Sequence, residues 1–162
     1  VVMGIGIGSG ILTGILIGQG KEEEALRASN VFMAISAVIG AGAAVAAVLF
    51  RPIAPSFINA SPETAEVIRD MLWVSAYILF FSCLNVTTLA GILRGSGDTV
   101  FCAALDVGSL WIIKVGCGLL FTLVIKVPPV WVYFILSSDE FIKAIITTPR
   151  VMRGKWIHRT TG

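Results

Sequence analysis

Long apolar stretches separated by short polar ones organise this chain. Residues 1 to 19, 31 to 50, 68 to 93, 100 to 125 and 129 to 148 are built mainly from Ile, Leu, Val, Ala, Phe and Gly. A helix rising about 1.5 Å per residue needs about 20 residues to cross a hydrocarbon core of roughly 30 Å, so each block is able to span a bilayer. The two-residue alternation of an outer-membrane barrel strand is missing, and lipid obliges a spanning segment to satisfy its own backbone polar groups. The pattern predicts an all-α, polytopic membrane helix bundle of about five transmembrane helices.

The polar residues punctuate these spans. Gly20 suits a helix end, and Lys21-Glu22-Glu23-Glu24 opens a short polar connector in which Glu23 and Arg27 stand four apart on one face. Pro52 and Pro55 end the second helix. Ser61-Pro62-Glu63 then reads as a helix start outside the membrane, with a capping hydroxyl, proline in the first turn and an acid near the positive dipole end. Within the first helix Gly6, Gly10, Gly14 and Gly18 recur every four residues, with Gly4 and Gly8 offset from them, so that one face is nearly bare backbone. Such a face serves tight packing in a bundle or a surface that slides during transport, and packing is the commoner use. Gly40 and Gly42, among alanines, repeat the theme in the second helix. No soluble domain and no low-complexity linker are visible.

Composition agrees with the pattern: 56% of residues are hydrophobic and 14% charged, and the mean hydropathy is +0.91, outside the range of ordinary soluble domains. The formal net charge of +2 is too small to indicate a nucleic-acid partner. The lipid bilayer is the expected one. Cys83, Cys102 and Cys117 lie inside apolar blocks without CxxC spacing, as small core residues do. Residues 1 to 18 carry no basic flank and no cleavage pattern, and the chain begins with Val1, which suggests a piece of a longer protein. Lys21, Arg27, Arg94, Arg150, Arg153, Lys155 and Arg159 flank one side of the spans, and Arg51, Arg69 and Lys126 the other. The richer side is expected in the cytosol, together with the carboxyl tail, residues 149 to 162, whose basic cluster suits anionic headgroups.

Ionisable residues inside spans are costly unless paired or hydrated. Asp106 and Lys114 lie in the fourth block, and Asp139, Glu140 and Lys143 in the fifth. With a hairpin turn near Val127 and Pro128 and equal rise on both sides, residues at equal depth have numbers summing to about 255. Lys114 then falls level with Phe141, within reach of Asp139 or Glu140, and Asp106 level with Pro149, near Arg150. Compensated pairs holding the hairpin in register explain these charges; a coupling-ion or substrate role is the alternative. Asn85, beside Thr87 and Thr88, has no charge partner in this scheme, and either bonds across helices or lines a polar cavity.

Asn85, then Gly91-Ile92-Leu93-Arg94-Gly95-Ser96-Gly97-Asp98-Thr99, then Asp106 and Trp111, resemble the late part of the multidrug and toxic compound extrusion family. Ile17-Gly18-Gln19-Gly20-Lys21-Glu22-Glu23-Glu24-Ala25 resembles the family's loop after the second helix of a lobe, and Arg150 with Gly154-Lys155-Trp156 its closing segment. The resemblance implies the last five helices of twelve, in a protein of two pseudo-symmetric six-helix lobes, with the N-terminal lobe and one further helix missing here. It implies a non-enzyme of the cell membrane, its carboxyl terminus cytosolic. Two rocking lobes would export organic cations and other xenobiotics in exchange for sodium ions or protons, with no other cofactor. The partners implied are the missing lobe and small organic cations. The polar or coupling candidates are Asn85, Asp106, Lys114, Asp139 and Glu140, with Arg94, Gly95, Gly97 and Asp98 as a motif loop. Two positions depart from the family: Lys114 replaces a small or apolar residue and Gly116 a proline. The first and third helices also lack the membrane-depth acid that some members have there.

Two alternatives remain. One is a membrane fragment with a structural or assembly role that transports nothing. The other is an intramembrane aspartyl protease, because Gly95-Ser96-Gly97-Asp98 satisfies GxGD. That chemistry needs a second aspartate, usually after a tyrosine, and neither Tyr77 nor Tyr133 precedes one.

Overall fold

The computed structural model describes residues 1–57, 61–125, 128–154 and 156–157, and every regular element among them is helical. In order these are α1 (Val2–Gly18), α2 (Glu22–Phe50), the one-turn α3 (Ala54–Phe57), α4 (Pro62–Asn85), α5 (Thr99–Ser109) and α6 (Pro129–Met152). Helix α4 runs on as a π-helix, π1 (Val86–Leu93), and α5 as π2 (Leu110–Cys117) and π3 (Leu120–Val124). Glu22–Phe50, Pro62–Leu93 and Thr99–Thr122 are long and apolar enough to cross a membrane, and Val2–Gly18 is a shorter apolar helix. Helix α6 has 24 residues but carries Asp139, Glu140, Lys143 and Arg150. The protein is an all-α membrane helix bundle.

Local chemistry sets the boundaries. At Gly20, φ is 74°, and the Lys21 N–H reaches back to Leu16 O at 2.9 Å, a left-handed cap that a residue with a Cβ adopts at a cost. The polar connector after it is shorter than its composition suggests. Glu22, Glu23 and Glu24 form the first turn of α2, where the dipole favours acids, and Glu23 accepts from Arg27 at 2.9 Å. Ser61 caps α4 as expected, its Oγ accepting from the Thr64 N–H at 3.4 Å, with Pro62 in the first turn. Helix α6 continues through Pro149 to Met152, so the start of the expected tail is helical. Lys126, Val127, Lys155 and Arg159 lie outside the described residues.

The glycine ridge of α1 packs against π1, the two segments running parallel. A Cβ added at Gly6, Gly10 or Gly14 would stand 2.9 Å from the carbonyl oxygen of Val86, Gly91 or Gly95 respectively. Backbone therefore meets backbone at Gly10 and Gly91 and at Gly14 and Gly95, with the Val86 and Ser9 side chains alongside, as small-residue seams in membranes allow. Gly4, Gly8 and Gly18 have open space around them and take no part. Helix α2 runs antiparallel to α4, with Gly40 against Phe80 and Cys83 and Ser36 bonded to Thr87. Helix α6 lies parallel to α4, joined by Tyr77, Phe81, Phe134 and Phe141 in edge and tilted ring contacts. Ala25, Met33, Leu89, Ile92, Leu93, Cys102, Val151 and Trp156 form the buried core. It lies at the end where Arg94–Asp98 turn.

Candidate functional site

The charges expected at membrane depth converge on the interface between α5–π2 and α6. Asp139, Lys143 and Arg150 recur at about helical period along α6 and so share a face, which meets Asp98, Asp106 and Lys114 of the antiparallel neighbour. Lys143 Nζ lies 3.0 Å from Asp106 Oδ1 and 3.4 Å from Asp139 Oδ2, Lys114 Nζ lies 3.2 Å from the same Asp139 oxygen, and Arg94 binds Asp106 Oδ2. The result is a ladder of alternating sign: Arg94, Asp106, Lys143, Asp139, Lys114. Its ends are half-exposed, at 49% for Arg94 and 46% for Lys114, while Asp139 is 1% exposed. Drying strengthens attraction between charges but also makes each charge costly to desolvate, so the middle rungs are the ones most costly to leave unpaired.

Asp139 is the most constrained member. Neither of its carboxylate oxygens receives a hydrogen bond of normal geometry among the described residues, although two ammonium groups stand close to Oδ2. A buried carboxylate held by charge alone is strongly dependent on both cations. Of the two partners expected for Lys114, the structure selects Asp139. Glu140 instead turns to Asn85, whose Nδ2 donates to Glu140 Oε2 at 2.8 Å and to its backbone oxygen at 2.6 Å. Asn85 therefore has a charged partner, contrary to expectation, and its buried Oδ1 is left without a donor. Next to it Thr88 bonds Thr147 at 3.1 Å, extending a polar seam between π1 and α6.

One expected pairing is corrected, and the acid of the motif turn finds a distant partner. Asp106 does not meet Arg150; it binds Arg94 and Lys143. The π winding explains this, because i→i+5 bonding puts more residues into each turn and gives less rise per residue. Asp106 is thereby drawn toward the hairpin turn and comes level with Lys143 rather than Pro149. Asp98 does not pair with Arg94, four residues before it, but with Arg150, whose Nε and Nη2 both reach Asp98 Oδ2 at 2.9 and 2.6 Å. The Arg150 guanidinium also lies 4.1 Å from the centroid of the Phe101 ring. Arg150 is thus a clasp between the motif turn and α6, not a free anchor for headgroups.

The motif turn itself divides its work by residue. Gly97 takes φ 89° and lets the Asp98 N–H return to Leu93 O at 3.0 Å; Gly95 is the close-approach point for Gly10 and Gly14. Asp98, the acid of the GxGD pattern, is bound to an arginine and not set against a second carboxylate. Trp156 is fully buried behind this turn, and its Nε1 donates to Val151 O at 2.9 Å. Among the described residues no three His, Cys, Asp or Glu side chains are grouped to hold a metal ion.

A bundle of long apolar helices, seamed by glycine and crossed by a charge ladder, defines a multi-pass membrane protein. The chain belongs to the MatE family, whose family model matches residues 1–120. It is similar to the multidrug resistance protein MdtK of Yersinia pseudotuberculosis serotype O:1b (strain IP 31758) and to that of Yersinia pestis (strain Pestoides F). Identity is 24% in both cases, over 97% of this chain and 34% of the relative. The chain thus spans about a third of the length of the curated relatives it matches. No solved structure matches it.

Proposed function

We propose that this chain is the closing part of a multidrug efflux transporter of the cell membrane, forming five helices of the second of two six-helix lobes. The whole protein would export lipophilic organic cations in exchange for sodium ions or protons. The observation that carries this reading is the match of 97% of the chain to relatives named multidrug resistance protein, together with membership of the MatE family. In this reading the ladder of Arg94, Asp106, Lys143, Asp139 and Lys114 ties α5 to α6 so that both move as one body when the lobes rock. Asn85 and Glu140 form the polar contact through which substrate or coupling ion is felt. The carboxyl terminus lies in the cytosol, and Ser61 on the outer side.

The test is a chimaera in which residues 1–162 replace the matching third of MdtK from Yersinia pseudotuberculosis, reconstituted in liposomes. Sodium- and proton-gradient arms are read by ethidium movement. Gradient-driven transport by the chimaera, with none from residues 1–162 alone, is expected. A chimaera that inserts stably yet moves no ethidium in either arm overturns the reading. Cysteine placed at Ser61 should be modified by an impermeant reagent only from outside; labelling from the cytosol would invert the topology.

A further inference from the structure

The end of the bundle remote from Arg94–Asp98 holds a groove that the charge ladder does not touch. Between α4 and α6 a hollow of about 630 Å³ is walled by Val74, Pro129, Trp131, Phe134, Trp73 and Asp70. The indoles of Trp73 and Trp131 are 52% and 58% exposed, and Trp131 stands edge-on to Phe134 with ring centroids 6.3 Å apart. Scattered tryptophans at a membrane interface are ordinary anchors. Here the rings converge on one concavity, and Asp70 is the only ionisable side chain on its wall among the described residues.

The chain already shows what these groups hold. Arg51 lies with its guanidinium 5.4 Å from the Trp73 ring centroid and its Nη2 3.4 Å from Asp70 Oδ1. That contact is longer than the 2.7–2.9 Å or so of a strong charge-assisted hydrogen bond, and Asp70 remains 58% exposed. Arg51 Nε also donates to the Arg69 carbonyl oxygen at 3.0 Å, so the backbone helps hold this cation on the α2 side of the ring and the acid, while both also line the empty groove toward α6. The walls there offer aromatic faces, proline and valine, and among the described residues no hydroxyl on the lining. Such a surface suits a cation that needs no hydrogen bonds, because ring quadrupoles attract positive charge without accepting an N–H.

We propose that this groove binds a quaternary ammonium group, with Asp70 supplying the charge and Trp73, Trp131 and Phe134 the enclosing faces. The ammonium comes either from a choline headgroup of the surrounding lipid or from a soluble quaternary amine. The site stands independently of whether the chain transports anything.

The probe is choline, its dissociation constant measured by ligand-observed NMR on the full chain in maltoside micelles, beside its uncharged carbon isostere 3,3-dimethylbutan-1-ol. Choline should bind at least about fivefold more tightly than the isostere, and Asp70→Asn and Trp131→Leu should each weaken it by at least about fivefold. Arg51→Gln should tighten it, since it releases Asp70 from the internal cation, a gain that a merely structural role for these residues would not give. Equal binding of choline and the isostere overturns the proposal, as does choline affinity unchanged in both Asp70→Asn and Trp131→Leu. If Asp70→Asn fails to fold, the isostere comparison on the unaltered chain and Trp131→Leu decide. Repeating the titration in nanodiscs identifies the source: weaker choline binding in phosphatidylcholine than in phosphatidylethanolamine, which is equally zwitterionic but carries no quaternary ammonium, shows the headgroup in the groove, and equal binding shows a soluble amine.

Discussion

The two ends of this bundle are held by different means. At the motif end, backbone meets backbone along Gly6, Gly10, Gly14, Gly91 and Gly95, and a core of Ala25, Leu89, Ile92, Leu93, Cys102, Val151 and Trp156 is sealed behind Gly97 and Arg150. At the other end the walls are aromatic and apart: a hollow of about 500 Å³ opens between α2 and α4, beside Trp73 and Phe80, and one of about 630 Å³ between α4 and α6. Lipid tails are as apolar as leucine, so burying grease gives membrane helices little reason to associate, and close approach and polar contacts decide where they do. Small residues give the first end its closeness. Large rings line the hollows of the second end. The charge ladder lies between, and it ties the hairpin of α5 and α6 to the closed half.

The largest effect should come from cutting that tie. Asp139→Leu removes the acid shared by two lysines, one of which, Lys143, is only 12% exposed. A buried charge left without its partner costs about 3–5 kcal/mol, tempered here because Asp106 still holds Lys143 at 3.0 Å. Thermal unfolding in detergent should show a large drop in Tm. An unchanged Tm would mean that the ladder binds nothing together, and that the two ends are joined by packing alone.

Next comes the glycine seam. Gly95→Val places a branched side chain where Gly10 backbone already stands, so α1 must move away from π1, at about 3 kcal/mol. Gly8→Val, on the same helix but in open space, should change stability by less than about 0.5 kcal/mol. Equal losses in the two variants would remove the contrast on which the closed end rests.

Much of this was readable from residue order. The helix blocks, the Ser61 cap, the glycine ridge of α1 and the approach of Lys114 to Asp139 all follow from periodicity, cap chemistry and depth matching. The partner of the ridge was not, because Gly91 and Gly95 read equally well as parts of a turn. The π winding was not readable either: residues 110–117 have the composition of any apolar helix, and tertiary packing selects their wider turns. That one feature displaced Asp106 from Arg150 to Lys143. The link between Asn85 and Glu140 is not legible either, since depth matching within the last hairpin leaves the register of α4 against α6 open. For the ladder, the repeat of Asp139, Lys143 and Arg150 along one face of α6 is the available signal.

A third effect measures how far the ladder is wetted. Lys114 is half-exposed, so Lys114→Leu alone should cost less than the loss of Asp139, and a double-mutant cycle with Asp139→Leu should return a coupling of about 1 kcal/mol. A cycle with Glu140→Leu should be additive within about 0.5 kcal/mol, because Glu140 faces Asn85. Coupling to Glu140 instead would exchange the roles of the two acids.

The smallest effect belongs to the open end. Trp73 touches both hollows and carries the Arg51 guanidinium on its face, yet more than half of it is exposed. Trp73→Leu exchanges one apolar side chain for another where little is buried, and the unfolded chain in detergent loses the same contact with its surroundings. A stability change within about 0.5 kcal/mol is expected, read as Tm in detergent beside Gly95→Val under the same conditions. A loss approaching that of Gly95→Val would show that the aromatic end bears load as the glycine end does, and the division between a packed half and a ligand-facing half would have to be abandoned.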